Sequence, residues 1–179
     1  MTEGRTTRVA WRLFWAWNDE SEERWLADMA RRGWHLRRPA LVRFVFDRGE
    51  PAEIVYRLDY HILRGDERGE YLGLFRAAGW EHVGEVANWH YFRTAAAAGA
   101  SPDIFTDTES RVGKYRRLLL LLAALFPFFV VSFFKLLERP RPDASRLLEW
   151  LYAGGTAAHG ILVVLWLYAF VRIGLKIAA

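Results

Sequence analysis

Cysteine is absent from all 179 residues, which excludes disulfide frameworks, thiolate nucleophiles and cysteine metal sites. Serine occurs once before residue 101, as Ser21, so a Ser-His-Asp nucleophile has nothing to draw on there. Gly49, Gly65 and Gly69 fall in separate turns, and no glycine-rich phosphate loop is formed. His35, His61, His82 and His90 show no i, i+4 pair, and there is no HExxH or histidine-rich tract. The sequence therefore offers no recognisable metal site. Glu81 and Glu85 are paired carboxylates, but they read as solvated positions of an edge strand. With these elements missing, neither an enzyme nor a cofactor is expected.

Lysine is also scarce, 3 residues against 22 arginines, which we read as genomic codon bias rather than phosphate chemistry. The net charge of +4 does not indicate nucleic acid. Residues 1–100 carry 15 Arg and 15 Asp/Glu, and the excess begins at Arg111, Lys114, Arg116 and Arg117. Those residues flank apolar runs, so the basic balance belongs to a membrane boundary.

Two such runs are present. Leu118–Phe134 has 17 residues without a charge, and Trp150–Val171 has 22, interrupted only by His159. About 20 apolar residues cross a hydrocarbon core of roughly 30 Å. The second run is long enough, and the first becomes so if Lys135 snorkels and Leu136 and Leu137 join it. Pro127 predicts a kink in the first helix. His159, among Gly154, Gly155, Ala157, Ala158 and Gly160, is expected to hydrogen-bond the neighbouring helix or to hold a proton or ligand. The 15 residues Lys135–Glu149 force an antiparallel hairpin. Six flanking basic residues against four in that loop, and no export signal, predict both termini in the cytoplasm.

The remaining chain repeats itself. Val9–Trp15 (VAWRLFW) aligns with Ile54–Tyr60 (IVYRLDY) at an offset of 45, and Trp25–Trp34 aligns with Tyr71–Trp80 at 46, an offset shared by Phe46 and Phe92. Each half reads strand–helix–strand–strand. The expected strands are 9–17, one starting at Trp34, 41–47, 53–61, 80–86 and 89–94. The first helix starts at an Asn18 or Asp19 cap and ends at Gly33; the second spans 66–78 and ends at Gly79. The fold class is thus α+β: a duplicated module forming a mostly antiparallel sheet with two helices on one face, followed by a two-helix transmembrane hairpin.

The expected segments are a disordered 1–8, the domain 9–94 (repeats 9–47 and 53–94) and a linker at 95–107. A juxtamembrane segment with the first membrane helix at 108–137 comes next, then a loop at 138–149, a second membrane helix at 150–172 and a tail at 173–179. A capping box at Thr106–Glu109 predicts one helix running on into the first membrane segment.

Period-2 alternation assigns Val9, Trp11, Leu13, Trp15 and Trp17, with Ile54, Tyr56, Leu58 and Tyr60, to the helix-covered core. The opposite face then carries Arg12, Phe14, Val55, Arg57, Asp59 and His61. That mixture is compatible with an ordinary half-solvated face, an internal Arg–Asp network, a peptide site or a ligand cleft. Arg12, Phe14, Arg57, Asp59 and His61 are the candidate ligand residues. The seven tryptophans of residues 1–100 read as core packing or as an aromatic cage.

Phe14-Trp-Ala-Trp-Asn-Asp-Glu, Met29-Ala-Arg-Arg-Gly-Trp-His-Leu, Val55-Tyr-Arg-Leu-Asp-Tyr and Ile104-Phe-Thr-Asp-Thr-Glu-Ser resemble bacterial proteins of domain of unknown function family 2812. The resemblance covers roughly residues 10–117 and the paired membrane helices. It implies a small protein of the bacterial inner membrane, often encoded beside a PadR-like regulator, and no reaction. The duplicated module also looks like the effector-binding domains of gyrase-inhibitor-like and multidrug-sensing regulators, which hold small amphipathic molecules between their repeats. The expected role is a membrane-tethered cytoplasmic sensor or interaction module for a small amphipathic molecule or a protein partner. The alternative is a ligand-sequestering or transport-accessory subunit. The bilayer is the other expected partner.

Overall fold

A computed structural model describes residues 6–96, 108–137 and 146–178, in two compact units, Met1–Lys114 and Tyr115–Ala179. In the first unit the elements run β1 (Thr7–Trp11), α1 (Asp19–Arg31), β2 (Trp34–Arg38), β3 (Arg43–Arg48), β4 (Ile54–Tyr60), α2 (Glu67–Ala77), β5 (Glu81–Val86) and β6 (Trp89–Ala95). The strand–helix–strand–strand unit is present twice. Its strands pair within each repeat, giving two antiparallel three-stranded sheets, β1-β3-β2 and β4-β6-β5, instead of one continuous sheet.

Both helices stop at the glycines read from the sequence. Gly33 and Gly79 have φ of +77° and +82°, the left-handed conformation that a side chain disfavours. At Gly33 a Cβ would also lie 2.6 Å from the Gly49 carbonyl oxygen. At the other end of α1, Asn18 is the N-cap but makes no side-chain capping bond. The β5–β6 hairpin closes through Ala87 and Asn88, both at positive φ (49° and 65°), the backbone of a two-residue primed turn.

The face assignment of the first repeat is overturned. Val9, Trp11, Leu13 and Trp15 are exposed, Trp11 at 72%. β1 ends at Trp11, so alternation does not persist to Trp17, and Ala10 pairs with Phe44 on the covered side. There Trp25 of α1 lies edge-on to Phe44 and Phe46, at 5.0 and 5.6 Å between ring centroids. In the second repeat Tyr56, Leu58 and Tyr60 are buried as expected. The helix over Tyr56 and Leu58, however, is α1 of the first repeat: Leu26, Met29, Ala30, Leu36, Phe44, Phe46, Tyr56, Leu58 and Tyr91 form one core.

α2 covers the reverse face of the second sheet. Phe75 stacks on Phe92 at 3.9 Å, with Trp80, Val55, Tyr71 and Leu72 around them. Each helix thus covers the equivalent face of its own sheet, and α1 covers the back of the other sheet as well. The face expected to lie opposite the helices is therefore not open: α2 covers it at Val55, and Phe14 packs against the core of α1.

The edge of β4 is closed by side chains. Glu23 of α1 accepts the Leu58 N–H at 2.8 Å, and the Lys114 ammonium donates to the Leu58 carbonyl at 3.3 Å and pairs with Asp19 at 2.5 Å. Lys114 belongs to α3 (Thr108–Leu137), which begins just before it and continues through Pro127.

In the second unit, α3 and α4 (Arg146–Ala178) are long and apolar enough to cross a membrane. The stretches that meet this criterion are Val112–Lys135 and Arg146–Ile177, with mean hydropathy 2.4 and 1.9. Phe126 stacks on Trp166 at 4.7 Å, and Phe133 on His159 at 5.9 Å, so the helices run antiparallel. His159 Nε2 lies 3.1 Å from both Ser132 Oγ and the Phe129 carbonyl oxygen. The inter-helix bond expected of His159 is formed. The expected linker and loop fall mostly at 97–107 and 138–145, and part of the expected disordered terminus at 1–5; these lie outside the described residues.

Candidate functional site

The five candidate ligand residues separate into three places. Arg12 stacks over Phe14 and Trp25, at 4.8 and 5.3 Å. Arg57 pairs with Glu23 of α1 at 3.3 Å. Asp59 and His61 share Tyr71: Asp59 accepts the Tyr71 hydroxyl at 2.8 Å, and the His61 ring packs on Tyr71 at 4.9 Å. The repeat equivalence of Arg12 and Arg57 does not bring the two guanidinium groups into one site, because one meets the aromatic part of α1 and the other its acidic part.

Around Tyr71 lies a cluster that the sequence did not bring out. The Tyr71 ring stands 5.3 Å from His90. His90 is 2% exposed; its Nδ1 is 3.4 Å from His82 Nε2 and 3.6 Å from a Glu85 carboxylate oxygen, and its Nε2 is 3.1 Å from the His61 carbonyl oxygen. Glu85 also pairs with Arg68 of α2.

Hairpin register explains the grouping. Val86 faces Trp89 and Glu85 faces His90, but an irregularity between His82 and Gly84 shifts the pairing so that His82 faces Phe92. Residues 82 and 85 are an odd number apart and would otherwise point to opposite faces. The bulge turns both toward α2. A helical spacing search misses them for that reason.

Burial lowers the pKa of both imidazoles, the proximity of His90 adding to it for His82, and hydrogen bonding from Arg68 lowers that of Glu85. At neutral pH the cluster therefore holds neutral rings and an ionised carboxylate.

A second feature is the seam between the repeats. A cavity of about 530 Å³ is lined by His35, Ile54, Gly79, Glu81, Arg93, Thr94 and Ala95. A neighbouring one of about 390 Å³ is lined by His35, Leu36, Arg37, Asp47, Glu81, His82, Val83 and Arg93. Arg93 forms a two-pronged ion pair with Glu81 (2.8 and 2.7 Å) and donates to the Leu36 carbonyl at 3.2 Å, tying the second repeat to the first. Donating to the Glu81 carboxylate raises the Arg93 pKa. None of the sequence candidates lines this seam. Its residues come from β2, β3, β4, β5 and β6, and no local pattern marks them.

Comparison with known proteins finds a family model, described as protein of unknown function (DUF2812), that matches residues 18–127. No curated protein and no solved structure matches.

Proposed function

Because the chain belongs to the DUF2812 family, we propose, from its own geometry, that it is a membrane-tethered sensor that binds a small amphipathic molecule in the seam between its repeats. The observation that carries this is the pair of adjoining open grooves at that seam, about 390 and 530 Å³, whose volumes suit a small molecule. Leu36, Val83 and Ile54 supply apolar wall, and Arg93, Glu81 and His35 supply polar groups. The walls come from both repeats, so an occupant bridges them and its binding energy reports on their relative position. Binding rather than catalysis is the proposed activity. Anchorage in the bacterial inner membrane keeps the domain close to a partner protein that reads its state.

Anilinonaphthalene sulfonate, titrated into the full chain in nanodiscs, tests this reading. Saturable fluorescence is expected, and Thr94→Trp, which adds bulk to the wall, is expected to abolish it while leaving stability within about 1 kcal/mol. Unchanged saturation in Thr94→Trp, or none in the parent, overturns the seam.

Both termini are proposed to face the cytoplasm, on the six-to-four bias of flanking basic residues. Reporter fusions at residues 1 and 179 and within 139–145 check this. Periplasmic activity at either terminus reverses the topology.

A further inference from the structure

The second inference concerns the cluster beneath α2, which shares only His82 with the lining of the seam. Two imidazole nitrogens and one carboxylate, His82, His90 and Glu85, place their ligand atoms within 4.8 Å of one another. Two ligands held about 2.0–2.1 Å from a tetrahedral ion stand about 3.3–3.4 Å apart. His82 Nε2 and His90 Nδ1 are 3.4 Å apart, and His90 Nδ1 and Glu85 are 3.6 Å apart. Two of the three spacings are thus already close to those of a bound ion.

The surroundings orient the donors as well. Ligating histidines commonly donate their second ring N–H to a carbonyl, which fixes tautomer and ring plane. His90 does this with the His61 carbonyl at 3.1 Å, leaving its Nδ1 lone pair directed at His82 and Glu85. The His82 ring is hydrogen-bonded to the Gly84 backbone. Tyr71 and Phe92 hold the rings from the sides, at 5.3 Å from His90 and 5.2 Å from His82.

We propose that His82, Glu85 and His90 form a three-ligand site for a divalent transition-metal ion of borderline softness, zinc above all, with the fourth position open. Two imidazoles and a carboxylate without sulfur suit zinc and disfavour calcium or magnesium, which take all-oxygen shells. Arg68 pairs with Glu85, so a metal ion would compete with the guanidinium for that carboxylate. Arg68 thereby acts as a competitor that weakens affinity and would respond to occupancy.

Zinc chloride is titrated by calorimetry into the full chain in nanodiscs, carrying no polyhistidine tag, with cobalt(II) absorption as the spectroscopic reading. One equivalent of zinc is expected to bind, and cobalt to give an intense visible band. His82→Ala and Glu85→Gln, both outside the buried core, are expected to weaken zinc by about 100-fold. Arg68→Gln is expected to tighten it by about tenfold. The Arg68 variant keeps the proposal falsifiable even if a ligand variant misfolds. Equal affinity in the parent, His82→Ala and Arg68→Gln, or no stoichiometric zinc binding at all, overturns it.

Discussion

Replacing Lys114 by methionine is expected to destabilise the full chain by about 3–5 kcal/mol at pH 8, because a buried charge cluster loses its cation. Lys114 is 6% exposed and faces Asp19, Glu23 and the Leu58 carbonyl. Glu22, 5% exposed, lies in the same acidic group and accepts the Tyr91 hydroxyl at 2.7 Å. Burial pushes Glu22 and Glu23 up to about 7, in Glu23 against the opposing pull of Lys114, the Leu58 N–H and Arg57. A carboxyl whose pKa is higher folded than unfolded binds more protons in the native state, so stability falls as pH rises from about 4.5 through 7. Without Lys114 the carboxyls are harder still to ionise, so the loss is expected to be largest above pH 7 and to shrink at pH 5. Chemical denaturation in detergent across that range is the measurement. A loss below about 1 kcal/mol at pH 8, or one that grows on acidification, contradicts the cluster as described.

Phe46→Ala and Phe92→Ala, made separately, are each expected to cost about 3–5 kcal/mol. The two are repeat counterparts, and each is 0% exposed. Each lies against the helix of its own repeat, Phe46 facing Trp25 of α1 and Phe92 stacked on Phe75 of α2. If the modules are independent packing units, the double variant should lose roughly the sum. A cost below about 1.5 kcal/mol for either would show that its helix is not anchored there.

Wherever cause and effect are close in the chain, the sequence was legible. Gly33 and Gly79 end the helices because only the residue at that position must take positive φ. The apolar lengths of α3 and α4 follow from composition alone. The duplication was legible too, since Phe46 and Phe92 do equivalent work. What failed was the choice of face. β4 is apolar on one side for α1 and on the other for α2, and alternation cannot tell a strand which helix will cover it. The histidine cluster escaped for a related reason. A bulge at Val83–Gly84 resets the phase of β5, and the pairing of His82 with His90 exists only once the hairpin has closed. The seam belongs to no single segment.

The side chains along β4 have a consequence for how copies of this chain can meet. The Tyr56 carbonyl accepts from Arg57, and Leu58 gives its N–H to Glu23 and its carbonyl to Lys114. Three of the four outward backbone groups of Tyr56 and Leu58 are thus taken up by side chains, so a passing strand meets an interrupted template in the middle of that edge. If the two long apolar helices hold many copies in one bilayer, their encounter rate rises while that part of the edge stays occupied. Loss of Lys114 would therefore register twice, once in the folding equilibrium and again as an unsealed border along which neighbouring domains could knit together.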